Sequence, residues 1–116
     1  MPNVINYRKK LFGEVIRTTK SGLESGKFTS QRAREIARFM LNSLPKNINT
    51  REIFIKVPKF ADQYPELFSV SLVARKDYEK LVQEKILPQA QKLISENRFA
   101  EATELMQKAS KKEINL

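Results

Sequence analysis

The chain has 116 residues, the size of one domain, and its 41% hydrophobic and 30% charged residues are typical of a globular protein. Cysteine and histidine are absent, which excludes disulfides, thiolate chemistry and Cys-based metal sites and removes the commonest metal ligand and general base. Only 3 glycines and 5 prolines occur, too few for the many tight turns of a β-sandwich or barrel. We therefore expect one helical domain over residues 1–116.

The formal net charge of +9 lies in the first half of the chain. Residues 1–59 contain 13 Lys and Arg against 4 acids, whereas residues 60–116 contain 9 of each. A basic half beside a neutral half produces a directional field that concentrates polyanions on one side. The pattern favours an anionic partner, although a basic surface that is merely solvated has the same composition.

Apolar residues at three- and four-residue spacing predict a first helix from about Val4 to Leu23. One half of its helical wheel is apolar, and we expect this half to face the core. Its members include Tyr7, Leu11, Phe12, Val15, Ile16 and Leu23. The opposite arc carries four cations, which are Lys9, Lys10, Arg17 and Lys20.

A second helix is predicted from a cap at Thr29 or Ser30 to the stop at Pro45. Its predicted core face consists of Ala33, Ile36, Ala37, Met40, Leu41 and Leu44. The other face presents four polar residues in a line, which are Gln31, Arg34, Arg38 and Asn42.

The segment 51–73 is compatible with two structures. Ile53, Ile55 and Val57 alternate like a strand, and residues 68–73 alternate in the same way, so a β-hairpin in an α+β fold is the alternative. We favour helix, with Thr50 as a plausible cap, because Pro65 followed by Glu66 is a favourable helix start. Pro58 then predicts a kink or a short helix.

From Pro65 the helical pattern runs into Lys85, and Pro88 is expected to kink or restart the helix. A polar turn at residues 95–98 separates this helix from a last amphipathic helix, which predicts an antiparallel helical hairpin at the end of the chain. The fold expected is all-α, a compact bundle of four or five helices.

The sequence contains no recognisable catalytic, cofactor or metal motif. Carboxylate pairs occur at helical spacing, Asp62 with Glu66 and Glu101 with Glu104, but loop, cap and solvated-face roles explain them. There is no Gly-rich phosphate loop and no nucleophile elbow. We expect a protein that is not an enzyme and that holds neither cofactor nor metal.

No secretory signal is evident, and no stretch approaches the ~18 apolar residues that a membrane span requires. With the lack of cysteine, this predicts a cytoplasmic protein.

Two functional hypotheses follow. In the first, the basic half contacts RNA or DNA, with phosphate contacts from Lys9, Lys10, Arg17, Lys20, Arg34 and Arg38 and secondary contacts from Gln31 and Asn42. In the second, the chain is a protein–protein adaptor that docks a partner through the C-terminal hairpin or an exposed aromatic such as Phe39 or Phe99. The first requires basic residues clustered on one face, and the second an exposed apolar patch or groove. The sequence leaves the partner and the oligomeric state open.

Overall fold

The computed structural model describes residues 4–113, which are helical apart from turns and short loops and contain no strand. The helices are α1 (Val4–Glu24), α2 (Ser30–Ser43), α3 (Thr50–Lys56), α4 (Phe60–Gln63), α5 (Phe68–Leu81), α6 (Leu87–Ser95) and α7 (Phe99–Ser110). A 3-10 turn joins α3 to α4, and a π-helical turn joins α5 to α6, so residues 4–113 form five continuous helices. The all-α prediction is confirmed, and the alternative of a β-hairpin in residues 51–73 is wrong.

Side-chain caps begin two of the helices. The Thr29 hydroxyl accepts a hydrogen bond from the Arg32 N–H at 3.1 Å, which confirms Thr29 as the cap of α2. The cap of α3 is Asn49, whose carboxamide oxygen accepts from the Glu52 N–H at 2.8 Å. The prediction of Thr50 as this cap is therefore wrong by one residue, and Thr50 is buried instead.

Pro58 and Pro88 change the helix geometry locally without ending the helix. Pro58 lies in the 3-10 turn Val57–Lys59. In a regular helix the Phe54 carbonyl would accept from the N–H of residue 58, which proline lacks; here it accepts from Lys112 Nζ at 3.0 Å. The π-helical turn Val82–Ile86 directly precedes α6, in which Pro88 occupies the first turn. A π-helical turn commonly accommodates a helix residue that, like proline, cannot donate the regular backbone hydrogen bond.

The core lies among the first five α-helices. Helix α1 packs against α2, α3 and α5. Each of these helices contributes buried residues to the core. The fully buried side chains include Leu11, Ile36, Met40, Leu44, Ile53, Phe54, Val57, Leu67 and Val70. At one end of α1, the Tyr7 ring lies edge-on to Phe54, with ring centroids 5.1 Å apart.

The C-terminal hairpin, formed by α6 and α7, extends from this bundle. Ala90 and Ala102 are buried in the hairpin, but they do not belong to the central cluster. Ala109, near the C-terminal end of α7, does belong to this cluster. There the Tyr78 hydroxyl donates to the Ala109 carbonyl. The radius of gyration is 17.1 Å, against about 13 Å expected for a compact chain of this length. The hairpin makes the molecule elongated, 58 × 26 × 21 Å.

Candidate binding face on the first two helices

α1 and α2 form an antiparallel pair. At one end, Arg8 Nε donates to the Leu44 carbonyl at 2.7 Å, which ties the start of α1 to the residue after α2. At the other end, Gly22 is buried beneath the Phe28 ring, and a Cβ at Gly22 would come within 2.7 Å of several ring atoms. Gly26 turns the chain with a φ of +76°, in the left-handed region that favours glycine. These contacts hold the two helices side by side.

The apolar half of α1 is only partly covered. Leu11 and Val15 are buried, whereas Ile16 is 66% exposed and Leu23 is 42% exposed. On α2, Leu41 is 59% exposed. Ala37 of α2 is exposed as well. The prediction that Ile16, Leu23, Ala37 and Leu41 face the core is therefore wrong. The cause is geometric, because successive helix residues point 100° apart and no helix in residues 4–113 lies over the outer side of the α1–α2 contact.

This uncovered surface is a groove between the two helices, here called the α1–α2 groove. Its lining consists of Val15, Ile16, Thr19, Lys20, Leu23, Glu24, Ala33 and Ala37. The groove has a volume of about 460 Å³. Ile16 and Leu23 supply large side chains on the α1 side, and the small Ala33 and Ala37 lie on the α2 side. The result is an open, largely aliphatic depression.

All eight residues of the predicted nucleic-acid site are exposed, but they do not all point the same way. Lys20 lines the α1–α2 groove. Lys10 lies on the opposite side of α1, where its Nζ is 2.8 Å from Asp77 Oδ2 of α5. Arg38 and Asn42 line a shallow depression on the far side of α2, next to Tyr64. Lys9, Arg17, Gln31 and Arg34 are exposed along the outer surfaces of their helices.

Three of the six predicted cations lie near a carboxylate, and three do not. Lys10 pairs with Asp77, Arg17 Nη1 lies 2.9 Å from Glu14, and Lys20 Nζ lies 4.0 Å from Glu24. The exposed pairs of Arg17 and Lys20 are weak, so these two cations remain available to a stronger anionic partner. The remaining three, Lys9, Arg34 and Arg38, have no carboxylate within 4.0 Å in the part of the chain that the structure describes.

Sequence reasoning missed Arg32, which joins α2 to the turn before α5. Its guanidinium donates two hydrogen bonds to the Glu66 carboxylate, one of them from Nη2 to Oε1 at 3.0 Å, and lies 4.6 Å above the centre of the Tyr64 ring. Hydrogen bonding to Glu66 raises the pKa of Arg32, and the same bond lowers the pKa of Glu66. The role of Arg32 is structural, and a contact across 34 residues leaves no local signal in the sequence.

The aromatics proposed as docking residues differ in their surroundings. Phe39 is half-buried, with its ring 4.9 Å from that of Phe60 and 4.7 Å from that of Tyr64. It is therefore a packing residue. Phe99 is 56% exposed at the start of α7. It belongs to a set of exposed large apolar residues on the C-terminal hairpin, with Leu87, Ile94 and Met106.

A second depression lies beside the base of α1, between α1 and α5. It is lined by aromatic and charged side chains that include Tyr7, Lys10, Phe54, Asp77, Lys80 and Lys85. The Tyr7 hydroxyl donates to Asp77 Oδ2 at 2.9 Å, and burial together with this carboxylate raises the pKa of Tyr7. The hydroxyl thus stays protonated and holds Asp77 in place beside Lys10. Tyr7, Lys10 and Asp77 therefore form a structural contact between α1 and α5.

Residues 4–113 include no cluster of three or more acidic side chains placed to hold a metal ion. None of the helices in the same range combines the length and the apolar character needed to cross a bilayer. Comparison of the chain with protein-family models, with curated proteins and with solved structures gives no match.

Proposed function

We propose that this protein is a binding domain, without a catalytic role of its own, whose helices α1 and α2 contact an anionic partner through their exposed cations. The observation that carries the proposal is the set of exposed cations on two adjacent helices. Lys9, Arg34 and Arg38 have no carboxylate near them among the described residues, and only weak exposed pairs hold Arg17 and Lys20. RNA or DNA is the first partner class to test, because net charge alone attracts phosphate backbones.

The expected salt dependence follows from the number of cations involved. If three unpaired cations replace counterions on duplex DNA, the slope of log K against log salt is about −2.7, and if Arg17 and Lys20 also engage it approaches about −4.5. Gln31 and Asn42 add hydrogen-bonding groups for sugars or base edges along α2. The proposal predicts weak selectivity between sequences, because phosphate contacts carry no base information.

The test is fluorescence anisotropy of labelled mixed-sequence RNA and duplex DNA over a salt series from about 50 to about 200 mM. The diagnostic variant is Arg34→Glu/Arg38→Glu. Its matched control is Lys92→Glu/Lys111→Glu, which changes the net charge by the same amount at exposed sites outside α1 and α2. Loss of binding in the first variant alone supports the proposal. Equal loss of binding in both variants would mean that binding depends only on the overall charge of the protein. No binding at low salt would exclude nucleic acid as the partner.

A second candidate function is a protein adaptor that uses the C-terminal hairpin. The observation that favours it is the presence of four exposed large apolar residues, Leu87, Ile94, Phe99 and Met106, on a hairpin that extends from the bundle; Leu87 and Met106 line one depression. Helical hairpins commonly bind peptides or helices along such surfaces. Affinity capture with the wild-type chain and with Phe99→Ser/Met106→Ser, compared by quantitative mass spectrometry, tests it. A specific partner lost from the variant supports this function, and identical capture by both proteins contradicts it.

A further inference from the structure

We infer that the α1–α2 groove binds an amphipathic helix with acidic flanks, donated by a partner protein, which packs as a third helix against α1 and α2. This inference rests on the proposed function and names the class of its anionic partner.

The shape of the groove fits one helix. Ile16 and Leu23 are seven residues apart on α1 and therefore stand about 10.5 Å apart along one side of the groove. A partner helix with apolar residues at positions i, i+4 and i+7 has anchors at the same spacing. Ala33 and Ala37 lie one turn apart on α2, and their small side chains let a partner backbone approach closely.

The apolar lining favours a helix over a phosphate backbone. Isolated exposed apolar side chains are normal, but Ile16, Leu23 and the two alanines form a continuous surface. A nucleic-acid backbone gains nothing from covering aliphatic groups, and its phosphates would lose water above them. An amphipathic helix buries this surface and keeps its own polar side in solvent.

The charge beside the groove determines which amphipathic helix fits. Lys9, seven residues before Ile16, lies at the edge of the polar arc of α1 that borders the Ile16 stripe, and Lys20 is part of the groove wall. On α2, Arg34 neighbours Ala37 at three-residue spacing. Glu24 is the acid among the lining residues, and Lys20 lies 4.0 Å from it. A helix with Asp or Glu beside its apolar stripe is therefore electrostatically complementary.

The same charges argue against a second copy of this chain as the occupant of the groove through its own α1–α2 groove. Two such grooves facing each other would bring Lys9, Lys20 and Arg34 opposite like charges. A dimer of this chain that forms through another surface differs from a complex with a partner helix in the number of copies of this chain that it contains.

The experiment uses the full chain and a fluorescein-labelled designed peptide of about 16 residues, with leucines at i, i+4 and i+7 spacing and glutamates beside them. The control peptide has lysine at every glutamate position. We expect saturable binding of the acidic peptide that is at least about tenfold tighter than binding of the basic one, which corresponds to at least about 1.4 kcal/mol. Chemical-shift changes in the ¹⁵N spectrum should map to residues 15–24 and 33–41.

Two substitutions test whether the peptide binds in the groove or through charge alone. Ala37→Gln places a long uncharged side chain in the groove at an exposed position, so the fold tolerates it, and should weaken peptide binding at least about tenfold. Ala100→Gln, at an exposed position of α7, is the matched control and should leave binding unchanged. If Ala37→Gln binds the acidic peptide as well as wild type does, the contact is charge alone and the inference is wrong.

The remaining outcomes separate this inference from the proposed function. RNA or DNA binding that depends on Arg34 and Arg38, with no binding of the acidic peptide, overturns the inference and leaves the proposed function standing. Equally tight binding to vesicles that contain anionic lipid, sensitive to Ala37→Gln, replaces the partner helix by a membrane surface. A dimer in light scattering that Ala37→Gln dissociates replaces it by a second copy. Failure to bind peptide, nucleic acid or vesicles at low salt overturns both.

Discussion

If Ile16 belongs to an open groove, replacing it with alanine should cost almost no stability, whereas the same change at nearby Leu11 should be severe. Both residues are large and aliphatic, and both lie on α1. Ile16 is 66% exposed, and Leu11 is 0% exposed. The comparison Ile16→Ala against Leu11→Ala therefore tests whether the apolar half of α1 is covered on one side only.

The magnitude follows from the covered fraction of each side chain. Full burial of an isoleucine is worth about 3 kcal/mol at most, so the covered third of Ile16 contributes about 1 kcal/mol. Alanine is the better helix former by about 0.4 kcal/mol, which leaves a net loss of about 0.5 kcal/mol for Ile16→Ala. Leu11→Ala removes a completely buried side chain and should cost about 3 kcal/mol, within the range for such truncations.

The assay is urea unfolding followed by far-ultraviolet circular dichroism, with a common m-value required for the comparison. By thermal unfolding, Ile16→Ala should shift Tm by about 2 °C and Leu11→Ala by about 12 °C. A loss of about 2 kcal/mol or more in Ile16→Ala would show that Ile16 is buried in solution. The α1–α2 groove would then be closed, and the inference of a docking helix would lose its basis.

Three further changes test contacts that position the binding face and the hairpin. Thr29→Ala removes the cap of α2 and should destabilise the protein by about 1 kcal/mol in urea unfolding, whereas Thr29→Ser should retain most of it. Because hydrogen bonding lowers the pKa of Glu66 in the folded state, its contribution is present above the ordinary value of 4.5 and is lost as pH falls through the folded value. Glu66→Gln should therefore lower the free energy of unfolding at pH 7. Below pH 4.5, the free energy of unfolding of this variant should fall less steeply with pH than that of the wild type. Tyr78→Phe removes the donor to the Ala109 carbonyl, which still accepts from the Lys112 N–H at 3.1 Å, so it should cost only about 1 kcal/mol and accelerate amide exchange in α7.

Each of these predictions has a contradicting result. Unchanged stability of Thr29→Ala would mean that another group satisfies the first N–H groups of α2. A Glu66→Gln protein with the wild-type pH profile would show that the carboxylate is not paired in solution. Amide exchange in α7 that is insensitive to Tyr78→Phe would mean that packing of Ala109 alone holds the hairpin.

The sequence by itself determined the helices and most of their ends, because these depend on interactions within about four residues. Thr29 caps a helix through the N–H three residues later, and Pro65 supplies the favoured φ at the start of the 3-10 turn Pro65–Leu67 that leads into α5. The same local logic favoured helix over hairpin in residues 51–73. Its error at Thr50 is small, since the actual cap is the adjacent Asn49.

The sequence also predicted which cations would be exposed, because charged side chains rarely bury without a partner. It did not predict their grouping. Lys10 turns toward Asp77, which is 67 residues away in the chain, and Arg32 is committed to Glu66. No pattern within one helix encodes contacts of this range.

Only the tertiary structure decided which apolar residues of α1 are core. Val15 and Ile16 are consecutive, similar in hydrophobicity and 100° apart on the helix, yet one is 5% exposed and the other 66%. The difference is set by where α2, α3 and α5 lie, and therefore by packing among helices that are distant in the chain. The periodicity of a single helix defines a stripe that is apolar, but the number of neighbouring helices determines how much of it is covered. The uncovered remainder is the α1–α2 groove.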